Sequence, residues 1–104
     1  MPKYLFTYHG GKRPANEAET KKYMDDWGGW FGAMGKAVVD GGNPCKPSST
    51  VLSNGSVTND GGVNPVGGYS LINADNMEDA LKKAKGSPIL SAGGSVEVAE
   101  AIDM

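Results

Sequence analysis

Residues 3–9, with the sequence KYLFTYH, form a β-type run in which neither face is polar. Successive side chains of a strand point to opposite faces, so one face carries three aromatic residues, Tyr4, Phe6 and Tyr8. The other face carries Leu5, Thr7 and His9. A strand with two apolar faces needs a cover on both sides of its sheet. We therefore expect helices on one face and a second subunit on the other.

Length and charge narrow the classes of protein that the chain can belong to. Its 104 residues and 10.8 kDa suit one domain, which we assign to residues 1–104. A net charge of −2 and a pI near 5.2, with no basic stripe, do not favour nucleic acid as a partner. No stretch approaches the roughly 20 apolar residues of a spanning helix, and the apolar run at the start is too short for a signal peptide. We expect a cytoplasmic protein without a membrane partner.

The first predicted helix begins after Asn16, which is a good N-cap residue. Its apolar side chains recur at steps of three and four residues, namely Tyr23, Trp27, Trp30, Phe31, Met34 and Val38. Gly28, Gly29 and Gly32 interrupt this helix, and each is about 1 kcal/mol less favourable there than alanine. We expect that they allow close packing against the sheet.

The second predicted helix lies within residues 75–86, DNMEDALKKAKG. Asp75 and Glu78 have the spacing of a capping box, and Gly86 follows the last turn. The predicted buried stripe consists of Met77, Leu81 and Ala84.

The remaining strands complete the predicted fold. A short strand is expected at residues 37–39, and Asn54-Gly55 is the favoured pair for a hairpin with a type I′ turn. Longer strands are expected in VGGYSLINA (66–74) and SVEVAEAI (95–102). This order predicts an α+β, ferredoxin-like βαββαβ fold: an antiparallel sheet with two helices on one face. The bare face of the sheet predicts a homodimer.

Four segments give the chain a family likeness: YLFTYHGG, GKAVVDGGNP, GGYSLINADNMEDALKKAKGSP and GGSVEVAEAI. On these segments the chain resembles the YCII-related proteins (YciI-like, or DGPF-domain, proteins) of the dimeric α/β-barrel superfamily. Where one branch of that family has Asp-Gly-Pro-Phe, this chain has NDGGVNP at residues 59–65. A histidine in the first helix, paired with an aspartate in another branch, is also absent here.

The resemblance implies a homodimer with a small-molecule cavity near the sheet and the first helix. Some relatives lie beside, or are fused to, extracytoplasmic-function sigma factors. Others in the wider superfamily are enzymes that work without a cofactor. For this chain the resemblance implies no cofactor. With one histidine and one cysteine, the composition does not favour a tetrahedral zinc site, and we expect no metal.

His9 is the chain's only histidine, and two glycines follow it. As a general acid or base it would need access to a ligand, which the glycines leave beside its ring. Asp40 is the carboxylate expected to orient His9. The alternatives are a histidine bonded to the backbone at a strand end, and an aspartate that stabilises its own turn.

Four further residues are expected to contact a ligand: Gly10, Trp27, Asn43 and Tyr69. The indole of Trp27 offers a large surface with one donor, although at helical spacing a tryptophan also suits the core. Cys45 is the only cysteine, which excludes an intramolecular disulfide. The chain has no second histidine that could form a catalytic pair with this thiol.

Three functions remain open from the sequence. The first is a small-molecule-binding protein, with its pocket near the first strand and first helix of a homodimer. The second is a cofactor-free enzyme that uses His9 as general acid or base. The third is a regulatory partner of a sigma factor. A pocket that converges on His9 would favour the enzyme, whereas an apolar patch beyond the dimer interface would favour a protein partner.

Overall fold

The computed structural model, which describes residues 1–104, contains six strands and three α-helices. The strands are β1 (Lys3–His9), β2 (Val38–Asp40), β3 (Thr50–Val51), β4 (Val57–Thr58), β5 (Val66–Asn73) and β6 (Ser95–Ala101). The helices are α1 (Glu17–Met34), α2 (Met77–Ala84) and α3 (Pro88–Ser91). A 3-10 turn at Gly35–Ala37 joins α1 to β2.

The main sheet has the strand order β2-β5-β1-β6, and all its neighbours are antiparallel. β1 lies in the centre, where it pairs with β5 and β6 along its whole length. β3 and β4 form a separate two-stranded ribbon within the segment between β2 and β5. The predicted α+β, ferredoxin-like arrangement is confirmed.

The core lies between the aromatic face of β1 and the helices. Tyr4, Phe6 and Tyr8 are 2%, 0% and 6% exposed. Phe6 stacks on Trp30 of α1 with a ring-centroid distance of 6.2 Å. The indole N–H of Trp30 donates to the backbone oxygen of Lys83 at 3.0 Å, which ties α1 to α2. The expectation that helices cover this face of β1 is therefore confirmed.

The N-terminus of α1 forms as predicted. The side-chain oxygen of Asn16 accepts from the backbone N–H of Glu19 at 2.9 Å. The carboxylate of Glu19 accepts in return from the N–H of Ala15 at 2.8 Å. The first bond satisfies a donor that the first turn of a helix leaves without a partner, and the second ties the preceding residue to that turn.

The cap of α2 lies one residue later than predicted. Asn76 accepts from the N–H of Asp79 at 2.9 Å, and the Asp79 carboxylate accepts from the N–H of Asp75 at 2.9 Å. The predicted box of Asp75 and Glu78 is therefore wrong. Asp75 and Asn76 are both good caps by residue type, and the sequence alone does not separate them.

The buried side of α2 is lined by alanines. Ala80 and Ala84 are 0% and 6% exposed, whereas Met77 and Leu81 are 40% and 45% exposed. Only Ala84 of the predicted stripe is buried. Small side chains let the helix lie close to the sheet, and the longer side chains then flank the contact.

Gly28, Gly29 and Gly32 lie on the exposed side of α1. A Cβ atom added to any of them would meet nothing within 4 Å. The expectation that these glycines pack closely against the sheet is wrong. The apolar stripe of α1 faces the sheet, so the glycines between its members point away from it.

The hairpin predicted at Asn54-Gly55 is present, but its turn type differs. Gly55 N–H donates to Leu52 O at 2.9 Å, and Leu52 N–H donates to Ser56 O at 2.8 Å. Gly55 has φ +86°, whereas Asn54 has a negative φ. A type I′ turn needs positive φ at both central residues, so this is a three-residue loop that ends in a left-handed glycine.

The fold leaves an unusually large surface. The chain measures 18 Å in its thinnest dimension against 43 and 42 Å in the others, and its accessible surface is 7216 Å². A monomer of this mass ordinarily exposes about 5,500 Å². Only 14 of the 104 residues are buried. None of the helices has the length and hydropathy that crossing a membrane would require.

Candidate functional site

The face of the main sheet opposite the helices is left uncovered, and we refer to it as the open face. It carries the side chains that alternate with the core residues: Leu5, Thr7, His9, Tyr69, Leu71, Glu97 and Ala99. Leu5 pairs with Leu71 and Ala99, which makes one half of the open face apolar. Thr7 pairs with Tyr69 and Glu97 and, with His9 beyond it, makes the other half polar.

His9 is the most enclosed polar residue of the open face, with 6% of its surface exposed. Its ring Nδ1 lies 3.0 Å from the backbone oxygen of Pro65. Its Nε2 lies 2.9 Å from Oε1 of Glu97. Because a backbone carbonyl can only accept, Nδ1 carries a hydrogen atom and donates it to Pro65. The contact of Nε2 with the Glu97 carboxylate is a hydrogen bond only where Nε2 carries a hydrogen atom as well, so the ring bonded to both partners is the imidazolium.

The chain turns directly after His9. The register of β1 and β5 shifts between Tyr8 and His9. Gly11 follows with φ +91°, and a Cβ atom there would lie 2.8 Å from the side chain of Ile89 on α3. The positive φ favours glycine at this turn, and any other residue would in addition displace the end of the Ile89 side chain.

Asp40 does not contact His9. Its carboxylate accepts from the N–H of Gly42 at 2.8 Å, as in the alternative that it stabilises its own turn. β2 pairs with β5 rather than with β1. Asp40 lies opposite Leu71 and His9 opposite Val66, five residues or about 17 Å apart along β5. The expected orientation of His9 by Asp40 is corrected: Glu97 and Pro65 hold the ring.

Sequence reasoning did not identify Glu97. The alternation of Val96, Glu97 and Val98 already places this carboxylate on the face opposite the two valines. The contact of Glu97 with His9 depends on the register of β6 and β1. In this register Glu97 is opposite Thr7, and Ser95 is opposite His9. That register is not readable from the sequence of β6.

Trp27 lies on the helix side of the sheet. Its ring contacts Tyr8 edge to face, with centroids 4.8 Å apart, and belongs to an aromatic cluster with Tyr23, Trp30 and Phe31. Its position is the one expected of a core residue at helical spacing. The structure thus places Trp27 and His9 on opposite faces of the sheet.

Tyr8 precedes His9 and contacts Trp27 on the core face, and its hydroxyl is hydrogen-bonded. Its hydroxyl donates to Ser70 Oγ at 2.7 Å, and the Ser70 hydroxyl donates to the backbone oxygen of Gly41 at 2.6 Å. Burial raises the pKa of Tyr8 to about 12, although the bond to Ser70 lowers it in part. This phenol therefore stays protonated at neutral pH and serves the core.

Asn43 and Tyr69 contact each other, while their predicted contact with a ligand stays a prediction. The amide nitrogen of Asn43 donates to the Tyr69 hydroxyl at 3.4 Å. A bridge between Pro44 and Gly68 holds the loop of Asn43 against β5. Tyr69 lies at the polar half of the open face, and the exposed Gly10 follows His9 at the same end of the sheet. No group of three or more His, Cys, Asp or Glu side chains is arranged to hold a metal ion.

A groove on the surface of a single copy lies elsewhere, between α2, α3 and β6. Its apolar lining consists of Met77, Leu81, Ala84, Leu90 and Val96. His9 does not line it, and the predicted pocket near the first strand and first helix is therefore not this groove.

Comparison with known proteins gives a fold and no family. No protein-family model matches the chain, and no curated protein sequence matches it. Among solved structures it is similar to 5-chloro-2-hydroxyhydroquinone dehydrochlorinase (TftG) from Burkholderia phenoliruptrix AC1100 in complex with 2,5-dihydroxybenzoquinone. The TM-score is 0.56, with 13% sequence identity over 96% of this chain and 95% of that chain. What the two share is the fold. The expected relation to the YCII-related proteins stays a prediction, because no family model matches the chain.

Proposed function

We propose that the chain is a homodimer that packs through its open face and binds a small molecule at the polar half of that face. The apolar half, with Leu5, Leu71 and Ala99 in one row, would meet its counterpart in the second copy. His9, Tyr69 and Asn43 would then lie at the edge of this interface.

The exposed area of a single copy supports the dimer. Its 7216 Å² exceeds the ordinary surface of such a monomer by about 1,700 Å². A standard stable interface removes about 800 Å² from each partner. One further contact of ordinary size would therefore remove about half of the excess, and Leu5, at 37% exposed, lies in the centre of the uncovered sheet.

The observation that carries the binding site is His9 itself. A histidine that is 6% exposed, and bonded through both ring nitrogens, is found on the face of the sheet that has no cover within the chain. Thr7 precedes it by two residues on β1, and Tyr69 lies opposite Thr7 on β5. Clustered polar groups next to an apolar surface are typical of small-molecule sites.

A cofactor-free enzyme with His9 as acid or base is the second candidate. The bond of Nδ1 to Pro65 leaves Nε2 as the one ring atom at which a proton is exchanged. TftG is by its name a dehydrochlorinase, and its complex contains 2,5-dihydroxybenzoquinone. A planar hydroxylated ring is therefore a sensible first ligand to try here.

The test is a thermal-shift screen of small metabolites, including 2,5-dihydroxybenzoquinone, with matched variants. A ligand at a hundredfold excess over its Kd stabilises by about 2.7 kcal/mol. We expect a hit that is lost in His9→Ala and in Leu5→Glu but kept in Leu81→Glu. Leu81 is exposed to a similar degree and lies on α2, away from the open face. A hit that survives both His9→Ala and Leu5→Glu would contradict the site, and no hit at all would favour a protein partner.

A further inference from the structure

We infer that the Glu97 side chain occupies the position of a ligand atom, and that the site binds small molecules bearing an anionic oxygen such as a carboxylate, enolate or phenolate. This inference rests on the proposed small-molecule site. It adds the class of ligand. It also assigns a role to Glu97, whose carboxylate fills the position beside His9 Nε2 until a ligand displaces it.

The acceptor position at His9 is defined by the histidine and its carbonyl partner. Pro65 fixes the ring by accepting from Nδ1 at 3.0 Å, so the orientation of Nε2 does not depend on Glu97. Oε1 of Glu97 lies 2.9 Å from Nε2. A carboxylate oxygen therefore already shows which chemical group fits this point.

Glu97 itself is weakly held. Its side chain is 66% exposed, against 7% for that of His9, and the contact with His9 is its one side-chain hydrogen bond. An ion pair with one partner in solvent contributes little to stability. A ligand oxygen can thus replace Oε1, while the enclosed Nε2 keeps the acceptor that a buried donor needs.

The neighbours of Glu97 extend this position into a site. Thr7 lies directly opposite Glu97 on β1, and Tyr69 lies opposite Thr7 on β5. Residues opposite one another on antiparallel strands have their Cβ atoms about 5 Å apart. The two hydroxyls are donors for a second oxygen of the same ligand. Carboxylates and hydroxylated rings carry oxygens at such a spacing.

The experiment uses the chain's only histidine as a reporter. Imidazole 15N resonances of His9 are recorded at constant pH during titration with benzoate and, separately, with benzamide, its neutral counterpart. The proteins are the native chain, Glu97→Ala, Glu97→Gln and Glu100→Gln. Glu100 lies on the same strand, opposite Tyr4 on the core face of β1, and so controls for the change in net charge.

We expect benzoate to shift the Nε2 resonance with a Kd roughly tenfold lower in Glu97→Ala than in the native chain, because both a competing carboxylate and its repulsion are gone. Glu97→Gln should lie between them, since its amide oxygen still accepts from Nε2. Glu100→Gln should match the native chain, and benzamide should leave Nε2 unmoved in every protein.

Equal affinity of benzoate for the native chain and Glu97→Ala would overturn the inference, as would equal binding of benzamide. The outcome is separable from that of the proposed function. A chain that stays dimeric but shows no benzoate effect at Nε2 in Glu97→Ala refutes the ligand class alone. A monomeric chain in which Glu97→Ala binds benzoate at His9 supports the ligand class and refutes the dimeric site.

Discussion

Replacing the exposed glycines of α1 by alanine should stabilise the protein. No heavy atom lies within 4 Å of a Cβ added at Gly28, Gly29 or Gly32, and all three have ordinary helical backbone. Alanine is favoured over glycine by about 1 kcal/mol per site in a helix interior. Gly29→Ala should thus raise the free energy of unfolding by about 1 kcal/mol and the Tm by about 4–8 °C.

The assay is urea unfolding at one fixed protein concentration, because the stability of an oligomer depends on concentration. The midpoint should rise with an unchanged slope. The control is Gly42→Ala: Gly42 has φ +72°, and a Cβ atom there would collide with the backbone oxygen of Tyr69, so this variant should lose stability. An unchanged or lower midpoint for Gly29→Ala would refute the reasoning and indicate that this side of α1 is covered in solution.

Three further changes test the core and the helix ends. Burial raises the pKa of Tyr8 from its ordinary 10.0 to about 12, so the free energy of unfolding should fall as pH rises from 10 to about 12. The fall should be smaller in Tyr8→Phe, in titrations followed by circular dichroism. Trp30→Phe should lower the free energy of unfolding by about 1–3 kcal/mol in urea, because the ring shrinks and the bond to Lys83 is lost. The hydrogen bond from Lys83 holds the pKa of Asp79 below its ordinary value of 3.8, so the free energy of unfolding should fall as pH drops below about 4. Asp79→Asn should weaken this fall in acid unfolding.

The elements that the sequence predicts well are those set by neighbouring residues. The cap of α1 needs only Asn16 and the backbone of Glu19, and the aromatic residues of its apolar stripe, from Tyr23 to Phe31, recur at helical spacing. These local signals, placed in order, were enough for the ferredoxin-like topology, because few arrangements bury two such helices on one sheet.

Features that depend on register or on helix rotation were not predictable in this way. Asp40 and His9 both lie at the ends of predicted strands, which suggested that they are close. The pairing of β2 with β5 separates them. Glu97 reaches His9 only because β6 pairs with β1 in one register. Gly29 was expected against the sheet because composition does not state which side of a helix a glycine occupies.

The mass of the native chain in solution tests the central claim most directly. Light scattering at about 10 µM, a concentration well above the Kd of a stable homodimer, should give twice the chain mass of 10.8 kDa. The same measurement on Leu5→Glu should give the single mass, because a charge would then lie in the apolar half of the open face. A native chain of 10.8 kDa, or a Leu5→Glu variant that stays dimeric, would contradict a site closed by two copies across the open face.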